Sequence, residues 1–391
     1  MVNFFVEMKG TDKVIYSIIL MMVCQMAAGL DVSKINLAYQ YDIQAEIRFS
    51  HRTVQSGNAI KVLYEVKSDT SRHWSLHFLT QKGYESALHD TLRNFVIDTL
   101  LIEKRRSLVS LEFKVPINMD LLLVVFNDSL TNTTFYFDVI INTPGNFPAY
   151  YPVDPLGLPI VKTYINTDEI GLMGYKNNYH CYQYGQKFIG TDPPMGQMKP
   201  LAPTLDIDTA FNFQPPLANL EEDAFYLIQN DSLDQTGITL LKVPNYFPEM
   251  KRIDELVGPL QYITTESENK SLNSGVNTKA LFERFWINTY GSKFAAKGAI
   301  RSYYNKVEGS NQLFTDYKAG WKTDRGMLYI VFGRPDEVIR TKNSEIWKYS
   351  DGPEFEFIRI STLFAPSLYS LKRAIKYEDV WYNRVGNIRN G

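Results

Sequence analysis

Gly320-Trp321-Lys322-Thr323-Asp324-Arg325-Gly326-Met327-Leu328-Tyr329-Ile330-Val331-Phe332-Gly333-Arg334-Pro335-Asp336 is the stretch that decides the C-terminal third of this chain. A polar, glycine-flanked turn leads into an unbroken apolar run, and a Gly-x-Pro-Asp turn follows. A short apolar run bounded by turn residues reads as a buried strand, here over 327–332. Gly320 is placed to end a helix in the left-handed conformation. Trp321 would then plug the core between helices and sheet. Thr323 and Asp324 are suited to cap the turn through short side-chain-to-backbone bonds, and Arg325 to pair with Asp324 or Asp336. Gly333 permits an unusual φ and Pro335 fixes its own, so Gly333 to Asp336 is turn chemistry. A functional reading uses the same residues: Trp321, Asp324, Arg325 and Asp336 would line a ligand or partner site.

Upstream, residues 275–310 carry apolar side chains at helical spacing. Ala280, Leu281, Phe282, Phe285, Trp286 and Ile287 form one set, and Ala295, Ala299, Ile300, Tyr303, Tyr304 and Val307 another. Two helices broken near Gly291 are expected, with an N-cap at Asn277-Thr278. Downstream, 345–349 and 354–360 read as strands, and Asp351-Gly352-Pro353 would join them in a hairpin. Residues 368–376 form a short strand or helix, and the tail is aromatic, with Trp381 and Tyr382.

The N-terminal half reads differently. Runs at 35–49, 59–66, 73–79, 108–115, 121–126 and 133–141 are apolar or alternating, with turn residues between them. This predicts an all-β immunoglobulin-like sandwich over 30–147. The composition of 142–148, with two prolines and a glycine, is that of a linker. A second β-rich domain is expected over 148–268, with strands at 160–165, 225–228 and 238–243, a Pro- and Gly-rich loop at 190–216, and a short helix at 253–257 stopped by Gly258-Pro259. The C-terminal α+β domain takes 269–391, with helices packed on a small antiparallel sheet.

The segment 320–336, the preceding helices with Phe285-Trp286, and Glu345-Ile346-Trp347-Lys348-Tyr349 resemble the GWxTD-domain family. Lys322 fills its free position, and Met327 stands where polar residues are often seen. The resemblance implies exported envelope proteins typical of Bacteroidota, often with β-sandwich segments upstream, and no established activity. It makes Gly320, Trp321, Thr323, Asp324, Arg325, Gly333, Pro335, Asp336, Trp347 and Tyr349 the signature or binding candidates. A shorter likeness (strand, Gly-x-Pro-Asp, strand, Trp-x-Tyr) is similar to small lipoproteins of the outer-membrane β-barrel assembly machinery. It implies a docking module whose partners are envelope proteins, among them outer-membrane ones. Asp-Ser/Thr-apolar triplets beginning at Asp90, Asp98, Asp128, Asp208 and Asp231 resemble Bacteroidota O-glycosylation sites.

No catalytic apparatus is recognisable. All five histidines (His51, His73, His77, His89, His180) and both cysteines lie no later than residue 181. The signature domain therefore lacks His or Cys for the usual nucleophilic or general-base roles. No Gly-rich phosphate loop, HExxH or GxSxG is present. His73 and His77, four apart, have no acidic neighbour in sequence, and neither a metal nor a cofactor is expected. Asp324, Asp336 and Glu337 offer carboxylates for glycoside chemistry only as any globular protein does. The rival to docking is binding or processing of a cell-surface polysaccharide, with stacking by Trp286, Trp321, Trp347, Trp381, Tyr150-Tyr151, Tyr303-Tyr304 or the loop aromatics Tyr179 and Tyr182. Core packing accounts for the same rings.

Charge is unevenly spread. Residues 269–391 hold 20 Lys/Arg against 12 Asp/Glu, a balance of +8, while the whole chain is at −2. Nucleic acid is not an expected partner, but a basic module on an acidic body suits an acidic partner or anionic surface. The first 29 residues read as an export signal: basic Lys9 and Lys13, an apolar stretch 14–23, and small residues at Ala27-Ala28-Gly29. Met8 is an alternative start. Cys24 follows a poor lipobox. Cleavage after Gly29 would leave Cys181 without an intramolecular partner. The expected location is periplasmic or outer-membrane associated.

Overall fold

A computed structural model describes residues 30–68, 74–141, 147–174, 176–185, 188–197 and 205–390. The expected export signal lies outside the described residues, as does His73. No described helix is long and apolar enough to cross a membrane.

The chain is multidomain: β-rich in its N-terminal half, with helices and a small antiparallel sheet at its C-terminal end. The first unit has eight strands: β1 (Ile47–Ser56), β2 (Ala59–Ser68), β3 (Trp74–Gln81), β4 (His89–Thr91), β5 (Phe95–Glu103), β6 (Arg106–Phe113), β7 (Leu121–Asp128) and β8 (Thr133–Ile140). They form two antiparallel sheets, ordered β1-β2-β6-β5 and β4-β3-β7-β8. Ile60, Val62, Tyr64 and Leu111 of one sheet pack with Leu122, Val124, Phe137 and Val139 of the other. Alternation along each strand produces this sandwich, since every second side chain faces the shared core. The expected strand at 35–49 begins only at Ile47. Before it come two 3-10 turns, Val32–Lys34 and Ala38–Tyr41, because Asp31 and Asn36 accept from backbone amides two residues on.

The second unit contains β9 (Tyr151–Val153), β10 (Tyr164–Ile165), β11 (Glu169–Met173), β12 (Tyr179–Tyr184), β13 (Thr209–Phe213), β14 (Leu217–Ala218), β15 (Phe225–Gln229) and β16 (Ile238–Lys242). Its main sheet runs β10-β16-β15-β12-β13. One face of that sheet encloses Tyr179, Cys181, Ile228 and Leu240. Phe225, Leu227 and Leu241 instead meet Tyr317, Phe364 and Leu368 of the C-terminal unit. The segment expected to be one long loop at 190–216 therefore carries strand β13.

The C-terminal unit contains α1 (Ile253–Val257), α2 (Glu266–Leu272), α3 (Thr278–Tyr290), α4 (Lys293–Phe314), α5 (Asp324–Phe332), then β17 (Glu337–Arg340), β18 (Ser344–Lys348), β19 (Glu354–Ile360), β20 (Leu368–Leu371) and α6 (Glu378–Asn390). Helix α3 breaks at Gly291, whose φ is +75°. Helix α4 starts at Ser292, whose side chain accepts from the Ala295 amide. Asn277 precedes α3 but makes no side-chain cap. Strands β17 to β20 form an antiparallel meander, and the hairpin of β18 and β19 turns through Gly352 at φ +115°.

The expected strand at 327–332 is helix α5. Its residues from Met327 to Phe332 are all buried, most of them completely. A helix enclosed on every side is apolar on every side, so its sequence shows no helical periodicity. The likeness to small β-barrel assembly lipoproteins, which needs a strand there, is not matched. Leu37, Ala38 and Tyr41 from near the N-terminus pack in the same core as α3, α4 and α5, and the Leu37 amide donates to the Val338 carbonyl at 2.8 Å.

Candidate functional site

The signature segment is a knot of close approaches. Gly320 does not end a helix in the left-handed region, as expected above. It lies in a buried 3-10 turn, Gly320–Lys322, where a Cβ would stand 2.0 Å from the Ser310 carbonyl oxygen and 2.8 Å from Asn311 Cα. Gly326 is equally confined: its Cβ would fall 1.9 Å from the Gly320 oxygen. The two glycines let the first turn of α5 sit directly against the turn before it. Thr323 is the N-cap, accepting from the Gly326 amide at 3.0 Å and donating to the Gly320 carbonyl at 2.7 Å. The left-handed glycine of the segment is Gly333, at φ +86°.

Trp321 takes the expected place in the core and is 7% exposed. Its amide donates to Asn311 Oδ1, and its carbonyl accepts from the Tyr262 hydroxyl. The indole lies against Gly258 and edge-on to Tyr262.

Asp324 and Arg325 turn to opposite neighbours. Asp324 accepts from the Leu371 amide at 2.8 Å, from Arg373 Nη2 at 2.6 Å and from the Thr191 hydroxyl. Arg373 also donates to Thr191 Oγ1 and the Asp192 carbonyl. One carboxylate thus joins α5, the end of β20 and a loop of the second β-rich unit. Arg325, expected beside Asp324 or Asp336, pairs with neither. Its guanidinium stacks 4.3 Å over the Tyr369 ring and lies 3.7 Å from Glu345, because a helix points adjacent residues about 100° apart.

Glu345 is fully buried at the centre of a charge cluster. It accepts from the Tyr41 hydroxyl at 2.6 Å, from Arg340 at 2.7 and 2.8 Å, and from Trp347 Nε1 at 2.8 Å. Arg340 reaches on to Asp138 of β8 at 2.5 Å, and Tyr84 closes that carboxylate from the other side. Burial alone would raise both carboxyls. The Arg340 charge overrides it and holds Asp138 well below its ordinary range, and Arg340 with Arg325 does the same for Glu345. The cluster ties the sandwich to the C-terminal sheet.

Among the other candidates, Trp347 is a fully buried ring stacked with Tyr41, Phe314 and Phe357. The Tyr349 hydroxyl donates to the Gly333 carbonyl. Pro335 is buried, while Asp336 is exposed and accepts from the Ser350 amide at 2.7 Å. The structure brings Arg325 and Trp347 together around Glu345 and leaves Asp324 and Asp336 apart from them. Sequence reading missed Tyr41, Asp138, Arg340 and Arg373. The basic surplus in 269–391 was the signal, because several of its arginines are matched by carboxylates from distant segments.

Most of the rings offered for sugar stacking are enclosed: Tyr150, Tyr179, Trp286, Tyr303, Tyr304 and Trp381 are buried, while Tyr151 and Tyr182 are half-buried. Tyr179 and Tyr182 stand on strand β12 rather than in a loop. The hydroxyl-bearing residues of the five Asp-Ser/Thr-apolar triplets, Thr91, Thr99, Ser129, Thr209 and Ser232, are all exposed. Burial pushes the Cys181 thiol up to about 12, which leaves it an inert core residue. Among the described residues no group of three His, Cys, Asp or Glu stands close enough to hold a metal ion.

No curated protein matches the chain. A solved structure titled "Crystal structure of DIP-gamma IG1+IG2" is aligned over 51% of this chain and 99% of its own, at 11% identity and a TM-score of 0.17, too distant to bear on the fold. The sequence model of the GWxTD domain matches residues 224–390, a span that opens at β15 inside the second β-rich unit and takes in the signature and the Arg340–Glu345 pair. The chain is a GWxTD domain-containing protein.

Proposed function

We propose that this chain is an exported, non-enzymatic protein of the cell envelope, in which the GWxTD domain fixes the two β-rich units and the first of them presents a docking edge. The observation that carries this reading is strand β5. It ends its sheet and exposes Val96, Ile97, Leu100 and Ile102 at 60%, 37%, 38% and 48%. An exposed apolar edge strand is a template for pairing with another chain. The signature supports the same reading from the opposite side: Trp321, Asp324 and Arg325 are occupied with internal partners. Binding of polysaccharide by ring stacking is less favoured, because most of those rings lie in the core.

The test is photocrosslinking in intact cells, with a photoreactive residue at Val96 or Ile102 and controls at exposed Leu130 and Leu233. Docking predicts one discrete adduct from the β5 positions, absent from the controls and identifiable as an envelope protein. Equal adducts from all four positions, or none from β5, would reject the edge as a docking surface.

A further inference from the structure

The outer face of the sandwich carries an unusual charge row. Arg48 of β1 stands opposite Lys67 of β2, and Lys67 stands opposite Arg106 of β6. Odd-numbered residues of β1 and even-numbered residues of β2 fill the sandwich core, so Arg48 and Lys67 share the other face. Like charges placed directly across strands repel. Two more cations stand over the same face. Arg52 donates to the Ile160 and Lys162 carbonyls at 2.9 and 2.7 Å. Lys162 itself reaches the Tyr164 hydroxyl at 3.1 Å.

Among the described residues, carboxylates balance this group only in part. Glu65, 6% exposed, accepts from Arg106 at 2.5 Å and from Lys67 at 3.3 Å. Glu103 lies 3.9 Å from Arg106 and is half exposed. Among the described residues, Arg48, Arg52 and Lys162 have no ion-pair partner. Arg48 donates to the neutral Gln312 of α4 at 3.1 Å. Burial lowers the Lys162 ammonium; the charge of Glu65 opposes this, and the smaller influences of Arg106 and Arg48 add to it. All three side chains are half-buried rather than free in solvent. The place is a junction: Val161 packs on Val54, Leu63 and Leu108 at its edge, and Gln312 brings the GWxTD domain to its rim.

We infer that this junction is a binding site for a phosphate-type oxyanion, held by Arg48 and Lys162, with Arg52 fixing the Lys162 segment through its carbonyl. Guanidinium forks match such an oxyanion two bonds at a time, and an ammonium supplies a point charge. Strands β1 and β2 and the Lys162 segment hold these groups before any ligand arrives, so binding would relieve repulsion already built into the fold. Two sources share the chemistry, a soluble phosphate compound and a phospholipid headgroup.

The test uses the full chain with inorganic pyrophosphate, followed by calorimetry and thermal unfolding, and separately with phosphatidylglycerol vesicles in a phosphatidylcholine background. Pyrophosphate should raise the Tm, with an affinity that falls steeply as salt rises. Arg48→Gln combined with Lys162→Gln should weaken it by about tenfold or more. The same variant, without ligand, should unfold no earlier than the parent, because the lost charges repelled each other. A purely structural role for these side chains predicts the reverse. Binding of either probe that the double variant loses supports the site, and which probe binds identifies the source. No binding of either probe, or binding unchanged in the variant, overturns it.

Discussion

Inside the GWxTD domain, Arg340 and Glu345 are enclosed, while on β5 of the sandwich Val96, Leu100 and Ile102 face solvent. Each region inverts the usual placement of its residue types, and they differ in what surrounds them. The buried charges are matched: Arg340 meets both Glu345 and Asp138, and Tyr41, Tyr84, Gln40 and Trp347 take up the remaining lone pairs and protons. The exposed apolar groups of β5 have no cover among the described residues. Matched interior charge makes one arrangement of units far better than its neighbours. Uncovered apolar edge leaves a surface for something else. The largest expected effects should therefore lie in the first region and be structural, and the smallest in stability should lie in the second and be functional.

Arg340→Ala should be the most damaging. Removing one partner of a buried ion pair leaves an uncompensated charge and costs about 3–5 kcal/mol, and here Asp138 loses its cation while Glu345 keeps only Arg325, at 3.7 Å. Its pH dependence separates it from ordinary core damage. In the parent both carboxyls lie below their ordinary 3.8 and 4.5. Their stabilisation is thus complete above those values and is lost as pH falls through the folded ones. In the variant Asp138 loses the charge that offsets its burial and its carboxyl rises, while Arg325 still faces Glu345, so stability falls as pH rises through the range of the Asp138 carboxyl. Chemical unfolding between pH 3.5 and 7 measures both slopes. Two slopes of the same sign would show that the cluster does not hold the units together.

Gly320→Ala should come next. The new methyl meets the backbone of Ser310 and Asn311, which cannot rotate away as a side chain would, and overpacking of this kind costs about 1–3 kcal/mol or more. Gly333→Ala is the sharper control. Its Cβ has open space, so only the positive φ is strained and the loss should be smaller, about 1 kcal/mol. If the two cost the same, close packing is not why the signature begins with glycine.

These positions also show what the sequence could disclose. Strand β8 was legible because alternation with a half-buried surface leaves a period-two trace, and β2, β6 and β7 because short, largely apolar runs between turn residues also read as strands. Helix α1 over Ile253–Val257 and the break at Gly291 were legible through Gly-Pro and glycine stop signals. Helix α5 was not, because enclosure on all sides erases the period. Its cues were only Thr323 at the N-cap and Gly333 past the end, and a strand bounded by turns uses the same residues. Strand β5 was missed because Phe95 to Glu103 does not alternate cleanly, and its register shifts between Thr99 and Leu101. The cluster was out of reach for another reason: the Tyr41 to Glu345 bond spans 304 positions. Local pattern can identify Arg325 as a charged residue near an apolar run, but not which distant carboxylate it will face.

Thr323→Ala probes the signature more gently. The side chain caps α5 through the Gly326 amide, and losing such a cap costs about 1 kcal/mol. The Gly320 carbonyl keeps a donor in the Thr323 amide at 3.0 Å, so no orphaned acceptor adds to the loss. Thr323→Ser should recover most of the Tm, since the hydroxyl is what caps. A serine variant as unstable as the alanine one would place the contribution in the methyl packing instead.

The smallest stability effect should accompany the clearest functional one. Val96→Lys with Ile102→Lys replaces two exposed apolar side chains on the edge strand by the residue that most discourages edge pairing. Neither side chain belongs to the sandwich core, so unfolding should shift by less than about 0.5 kcal/mol. Docking through β5 would then be lost while the fold, read by Tm, stays unchanged. Loss of the crosslinked adduct at constant Tm separates an interaction edge from a structural one, because a strand needed only for its own sheet would report through Tm first. An adduct that persists at full yield in the lysine variant would place the partner elsewhere. It would also make the exposed face of β5 an unused edge of a sandwich whose interactions run only inward, toward the Arg340 cluster.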